Sequence, residues 1–334
     1  MSEKSIAIVG ATGAVGLEFI SVLEKLNLPI KNLKLLASKR SAGKTLKFKQ
    51  TGIPVEETTR ESFKNVDIAL FSAGSSISRL YAEDVKNSGC VMIDNSSAFR
   101  MDADVPLVIP EINPQDALKH NGIIANPNCS TIIMLMAVYP IHKKYPVKRI
   151  VLSTYQAASG AGWEAMEELR KASIAYLNDQ PFQQTIMPHP YAFNLFSHNS
   201  KMLENGYNEE EMKTFKESRK ILHDDNISIT ATCVRVPIFR AHSEAVNMEF
   251  HNEAPSVEEC KTLLDEFPGI KVIDDRKNNH FPMPNEASGN YDCLVGRIRK
   301  DESLPSKAIN LFVCGDQLLK GAALNAVQIA KLLV

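Results

Sequence analysis

The run 123–131, IIANPNCST, leads without a break into the apolar stretch 132–138, IIMLMAV. A short apolar run ends at Asn126, Pro127 forces an extended turn, and Asn128, Ser130 and Thr131 supply polar groups where the apolar segment begins. This spacing predicts that Cys129 opens a buried helix. Unpaired N–H groups and the positive end of the helix dipole favour thiolate over thiol there, and thiolate is the form that attacks a carbonyl carbon. The competing reading is a small buried hydrophobe, the usual condition of a cysteine. Cys90, Cys233, Cys260, Cys293 and Cys314 lie far apart with no CxxC pair, and several fall in strand-like runs. One or two working thiols among inert ones is therefore expected, rather than a disulfide framework or a metal site.

A second chemical signature stands at the start of the chain. The apolar run 5–9 is followed by GATGAVG over 10–16 and then by a helical pattern from 17 to 26. Strand, glycine-rich turn and helix, in that order, form the setting of a dinucleotide fingerprint, with Gly10, Thr12, Gly13, Ala14, Val15 and Gly16 in the turn. The glycines allow close backbone approach, and the helix N-terminus faces the pyrophosphate. After the second strand, 33–37, NAD enzymes place an acid for the ribose 2′-hydroxyl. Here Ser38, Lys39, Arg40 and Ser41 stand instead, hydroxyls and cations that suit a 2′-phosphate, so NADP is the expected cofactor.

Two more strands end in polar loops, 66–71 into SAGSS and 91–94 into NSSAFR. The first part therefore reads as a doubly wound parallel sheet with ligands at the carboxyl ends of its strands, the edge that also carries the Cys129 turn. Arg100 closes one of those loops beside serines that could hold it, which leaves open whether it faces solvent or an anion. From residue 148 the character changes. A strand over 149–156 ends in AASGAG, helical spacing follows over 163–176, residues 181–190 are loop, and a charged amphipathic helix covers 209–222. Strands follow over 229–236, 243–250, 291–298 and 308–314, with few helices between them, so the second part reads as α+β with a mostly antiparallel sheet. A final amphipathic helix is expected over 316–333.

These motifs in order, GATGAVG at 10–16, NPNCST at 126–131, YQAASGAG at 155–162, Arg235 with VP after it, AHSE at 241–244 and GDQLLKGAALN at 315–325, together resemble the aspartate-semialdehyde dehydrogenase family. The resemblance implies a Rossmann-type NADP-binding domain from 1–128 and 315–334, and an α+β catalytic and dimerisation domain from 129–314. It implies reversible NADP-dependent interconversion of L-aspartate 4-semialdehyde, with phosphate, and L-aspartyl 4-phosphate. It also implies a homodimer or homotetramer, and a place in lysine, methionine and threonine biosynthesis. In the biosynthetic direction Cys129 attacks the acyl phosphate, phosphate leaves, and hydride reaches the resulting thioester, which is far more electrophilic than a carboxylate.

By the same resemblance His242 is the acid/base, with an ordinary pKa close to working pH, and Asn128 with nearby N–H groups stabilises the oxyanion. Gln156 helps to position the substrate. Arg235 grips the α-carboxylate, Glu217 takes the ammonium, and Lys220 with Arg100 takes phosphate. Glu217 and Lys220 share a helix face, and Arg219 offers a second cation beside them. Ser159, Gly160, Gln317 and Asn325 join the cofactor set with Ser38, Arg40 and Ser41.

At 334 residues with a formal net charge of -1, the chain has room for about two domains and shows no basic surface for nucleic acid. Its apolar runs are too short to span a bilayer, and no leader precedes the first strand, so a cytoplasmic place is expected. Competing readings are N-acetyl-γ-glutamyl-phosphate reductase, which shares the thioester logic but needs no ammonium partner, a catalytically silent NADP-binding homologue, the more distant glyceraldehyde-3-phosphate dehydrogenase, and a cysteine hydrolase.

Overall fold

The computed structural model describes residues 3–334. The chain divides into two compact units, one holding the residues up to Asn128 together with Ala322–Val334, the other holding Cys129–Gly321.

In the first unit, β1 (Lys4–Val9) runs into the Gly10 turn and then α1 (Ala14–Lys25), which buries Phe19, Ile20, Val22 and Leu23. β2 (Ile30–Ala37) lies parallel to β1. The expected alternation with helices then breaks. β3 (Thr45–Phe48) and β4 (Thr51–Glu57) form an antiparallel hairpin turned at Lys49 and Gln50, both at positive φ. Most of its residues are exposed or half-buried, so no apolar run announced it. β5 (Ile68–Phe71), α2 (Ser75–Asn87), β6 (Val91–Asp94) and β7 (Ile123–Ala125) restore the βαβ pattern.

The sheet order is β3-β4-β2-β1-β5-β6-β7, parallel throughout except between β3 and β4. β5 and β7 are buried at every residue, as strands covered on both faces must be. Because β2 lies to one side of β1 and β5 to the other, strand order reverses beside the Gly10 turn, the usual crevice for a ligand in such sheets.

In the second unit, α3 (Cys129–His142) begins at Cys129 and is buried around most of its circumference, as an all-apolar helix requires. β8 (Val147–Gln156), α4 (Trp163–Leu177), β9 (Phe196–Ser197), α5 (Glu209–Leu222), β10 (Ser228–Arg235), β11 (His242–Phe250), α6 (Val257–Asp265), β12 (Ile270–Val272), α7 (Pro284–Ala287), β13 (Cys293–Lys300) and β14 (Ala308–Gly315) follow. Their sheet has the order β12-β13-β14-β11-β8-β10-β9. Two neighbouring pairs, β8 with β10 and β12 with β13, are parallel and the rest antiparallel, so the sheet is mixed with the antiparallel majority expected. Along β8 the residues Ile150, Leu152, Thr154 and Gln156 are buried, while Val151, Ser153 and Tyr155 between them are less so. Helices α3 and α5 pack on the strands and on each other.

The C-terminal helix is shorter than expected. The Asp316 side chain accepts the Leu318 N–H at 2.9 Å, Leu319–Ala323 form a single wide π-helical turn, and α8 (Leu324–Lys331) begins only after it. Gly315 is still paired with His242 in the sheet, and Gln317 is bound to the Ala241 N–H. The chain therefore joins the first unit at Ala322 and not at residue 315. There α8 packs on α1, β5 and β6.

Candidate active site

In the first unit the ligand edge is built from backbone. Gly10 sits at φ +86°, and a side chain on it would strike the Ser72 carbonyl; one on Gly16 would strike the Gly10 carbonyl. Gly13 precedes α1 without a side-chain cap, and the first turn of the helix carries no acid. With Thr12, Ala14 and Val15 completing the turn, the first N–H groups of α1 form a cradle for an anion. At the end of β2, Ser38, Lys39 and Arg40 are exposed, and the N–H groups of Ser41 and Ala42 both close on the Ser38 carbonyl at 2.8 and 3.2 Å. Arg100 is buried, its Nε donating to the Asn126 carbonyl at 2.9 Å and its Nη2 to the Asn95 carbonyl at 2.8 Å. Nearby serines have other work: Ser78 and Ser96 both bind Asp94 at 2.6 Å. Asn325 is fully buried and donates to the Val108 carbonyl at 2.9 Å and to Asn126 Oδ1 at 2.7 Å, which braces the segment leading to Asn128.

In the second unit Cys129 is partly exposed, whereas Cys90, Cys233, Cys260, Cys293 and Cys314 are buried. Burial pushes the Cys90, Cys260 and Cys314 thiols up to about 12 and raises Cys233 as well. Gly321 lies so close that a Cβ there would stand 2.8 Å from the Cys129 Cβ and 3.3 Å from the Gln317 Cβ. Gln317 in turn accepts the Ala241 N–H at 2.9 Å and donates to the Ser159 hydroxyl. Beside Ser159, a Cβ on Gly160 would sit 3.0 Å from His242 Cε1 and 3.1 Å from Arg235 Nη1. Side by side, these contacts run from Cys129 through Gly321, Gln317, Ser159 and Gly160 to His242 and Arg235. Packing of α3 agrees: a Cβ on Gly315, the sheet partner of His242, would meet Ile133, one turn after Cys129 on the same helix face.

His242 is wholly buried, and its Nδ1 accepts the Ala157 N–H at 3.0 Å. A neutral ring held this way carries its hydrogen on Nε2, which has no hydrogen-bond partner here. Burial first, and the Arg235 guanidinium second, push the His242 pKa down to about 3, with Glu210 opposing them. The ordinary histidine pKa expected from sequence therefore does not describe this ring: at neutral pH it is an uncharged donor at Nε2. Arg235 is 4% exposed, and its Nε and Nη1 bind Asn199 Oδ1 at 3.2 Å and the Ala157 carbonyl at 3.3 Å. That holds the fork and leaves Nη2 for a ligand. Gln156, paired with Arg235 across β8 and β10, receives the Thr154 hydroxyl at 3.3 Å and donates to Glu210 at 3.1 Å.

Helix α5 begins with a capping box between Asn208 and Glu211 and buries Glu210, Thr214, Glu217, Ser218 and Ile221. Glu217 is 1% exposed and Lys220 is half-buried. Arg219 is turned to the Ile227 carbonyl at 3.1 Å and lies over the Phe215 ring at 4.2 Å, which leaves Lys220 as the cation of the pair beside Glu217. Sequence reasoning missed Glu210, Asn199, Gly321 and the Ala157 backbone. Glu210 left one usable trace, a polar residue at i with Thr214 and Glu217 at i+4 and i+7, all on one face. Among the described residues, no group of three or more His, Cys, Asp or Glu is placed to hold a metal ion.

Comparison with known proteins places this arrangement. Residues 5–120 match the family model "Semialdehyde dehydrogenase, NAD binding domain", and residues 138–320 match "Semialdehyde dehydrogenase, dimerisation domain". The chain is 56% identical over 333 residues to aspartate-semialdehyde dehydrogenase of Synechocystis sp., covering 100% of this chain and 98% of the relative. It is 48% identical over 333 residues to the enzyme of that name from Bacillus subtilis, covering 98% and 96%. The crystal structure of aspartate semialdehyde dehydrogenase II complexed with ASA from Vibrio cholerae matches with a TM-score of 0.95 at 42% identity, over 100% of this chain and 98% of that one. A probable aspartate-semialdehyde dehydrogenase from Pseudomonas aeruginosa matches with a TM-score of 0.93 at 27% identity, over 99% and 98%. Matched from end to end at these identities and by both domain models, the chain belongs to the aspartate-semialdehyde dehydrogenase family of nicotinamide-dependent oxidoreductases.

Proposed function

We propose that the chain catalyses the NADP-dependent reductive dephosphorylation of L-aspartyl 4-phosphate to L-aspartate 4-semialdehyde through a thioester on Cys129. Cys129 at the head of α3, with Arg235, Gln156 and His242 gathered on neighbouring strand ends of the same unit, is the observation that carries this reading. The Cys129 thiolate adds to the acyl carbon, the C–O bond to phosphate breaks, and phosphate leaves. NADPH, when bound, supplies the hydride that reduces the thioester. The carbonyl then re-forms from the alkoxide and expels the thiolate, so no net proton is required at the carbon. A neutral His242 suits that sequence: its Nε2–H donates to the alkoxide and need not accept the thiol proton through that atom. Asn128 and the first N–H groups of α3 give the oxyanion further donors.

Arg235 offers Nη2 to the α-carboxylate, with the rest of its fork pinned, and Gln156 positions the substrate beside it. Buried Glu217 meets the ammonium, and Lys220 with Arg100 meets phosphate. Glu217 favours this substrate over an N-acylated one, because its carboxylate attracts an ammonium and an amide brings no such charge. For the cofactor, Gly10, Thr12, Gly13, Ala14, Val15 and Gly16 hold the pyrophosphate. Ser38, Arg40 and Ser41 hold the 2′-phosphate, since the turn after β2 carries hydroxyls and a cation and no acid. Ser159, Gly160, Gln317 and Asn325 complete the cofactor set. The NADP domain comprises the first unit, and catalysis and homodimerisation, with a tetramer as the larger form, belong to the second. The enzyme works in the cytoplasm, in the route to lysine, methionine and threonine.

The test is NADPH formation from aspartate semialdehyde, phosphate and NADP, run beside NAD and beside N-acetylglutamate semialdehyde. Turnover with NADP and the free amine supports the reading. Preference for the acylated substrate replaces it with the reductase alternative, and equal rates with NAD remove the 2′-phosphate site.

A further inference from the structure

The buried carboxylate of Glu210 has no part in the reaction set out above, and its surroundings give it one. Glu210 is 4% exposed and stands in the first turn of α5. One oxygen, Oε1, accepts Gln156 Nε2 at 3.1 Å; the other, Oε2, accepts Lys213 Nζ at 3.1 Å. Its N–H donates to the Ser200 hydroxyl at 3.1 Å, which ties the helix start to the loop after β9. Gln156 is 1% exposed, and its Oε1 takes the Thr154 hydroxyl at 3.3 Å.

A primary amide can present either its C=O or its NH2 to a given neighbour after half a turn about its last bond. A carboxylate has no hydrogen to give, so only the NH2 can face Glu210. Glu210 therefore settles the choice: Oε1 lies toward Thr154 and Nε2 toward α5. One hydrogen of Nε2 serves Glu210, and the second remains for a ligand at the strand end shared with Arg235. Lys213 holds the far oxygen of the carboxylate, so that it cannot swing away from the amide.

We propose that Glu210 is a positioning residue that acts through Gln156, fixing the amide so that an N–H, and not a C=O, meets an acceptor oxygen of the substrate. This rests on the reading of Gln156 as a substrate-contacting residue. The Glu210 charge also faces His198, His242, Glu244 and Cys233, contributed by the β9 loop, β11 and β10.

A double-mutant cycle tests the proposal. Glu210→Ala lowers kcat/KM for the semialdehyde about tenfold in the otherwise native chain and less than about twofold in a Gln156→Ala background. Glu210→Gln, whose amide oxygen can still accept from Gln156, recovers most of that loss. Equal losses in the two backgrounds, or no recovery with Gln, overturn the proposal. A neutron structure of Glu210→Ala, which tells N–D from C=O, decides the matter without any assay: the Gln156 amide takes both orientations, and an amide that still turns only Oε1 toward Thr154 overturns the proposal. A native chain that does not reduce NADP with aspartate semialdehyde removes the functional reading instead, and the crystal still judges Glu210.

Discussion

A buried ionisable group must lose its charge or find a partner, and both outcomes occur around this site. His242 loses its charge. With a folded pKa near 3 and an ordinary value of 6.5, it binds no proton in the native state where the unfolded chain does, so its contribution to stability is full above pH 6.5 and is lost as pH falls toward 3. His198, pushed down to about 4 by burial, acts in the same direction. The melting temperature is thus expected to fall between pH 6.5 and 4, and His242→Gln to flatten that slope; an unchanged slope would show that the ring is charged in the folded protein. Arg235 finds partners, since its fork is held by Asn199 and the Ala157 carbonyl. Lysine can supply the charge without the fork, so Arg235→Lys loses on the order of 10–100-fold in kcat/KM for the semialdehyde, as one or two misaligned charge-assisted bonds imply. Saturation curves for phosphate should change less, and an equal change would move the carboxylate role to another cation.

At the scale of elements, α3 and the turn before α8 meet without clearance. An alanine at Gly321 would place its Cβ 2.8 Å from the Cys129 Cβ, and the first turn of α3 would have to yield. Gly321→Ala is expected to cost about 1–3 kcal/mol of stability, the usual range for an overpacked site, and to lower kcat at least about tenfold by displacing the thiol. Chemical denaturation and steady-state rates read the two effects, and a native rate would mean that the contact relaxes elsewhere. The start of α3 at Cys129 and the bounds of α5 were legible in sequence, from Pro127 with its polar neighbours and from the 3.6-residue spacing over 209–222. The inward face of α5 was not. Hydrophobic periodicity marks a buried stripe by its apolar residues, and this stripe is mostly Glu210, Thr214, Glu217 and Ser218. The β3–β4 hairpin escaped for a related reason, since its residues are mostly exposed, and the π-helical turn at Leu319–Ala323 depends on Asp316 and Gln317 binding residues distant in sequence. Partners such as Asn199 and the Ala157 backbone carry no chemical signature of their own and become visible only once the strands are paired.

Taken whole, the chain carries the glycine turn over 10–16 in its first unit and Cys129 in its second, and the role proposed for each has its own test. In the first unit, Arg40→Ala with Ser41→Ala should raise the KM for NADP much more than the KM for NAD; equal changes would show that the turn after β2 does not meet the 2′-phosphate. In the second, the less buried side of the central sheet presents Tyr155, 37% exposed, against Phe312 with ring centroids 6.3 Å apart. The parallel sheet of the first part and the mostly antiparallel sheet of the second were readable because parallel βαβ units and successive antiparallel strands leave different spacings in sequence. The central claim is that Cys129 carries the acyl group, and it is tested most directly by trapping that group. Enzyme mixed with NADP and aspartate semialdehyde in the absence of phosphate, then quenched in acid and digested, should yield a hydroxylamine-labile aspartyl adduct on the peptide containing Cys129. A burst of about one NADPH per chain should accompany it, and Cys129→Ala should show neither while keeping NADP affinity within a few-fold. A burst without that adduct, or turnover retained in Cys129→Ala, would contradict the account.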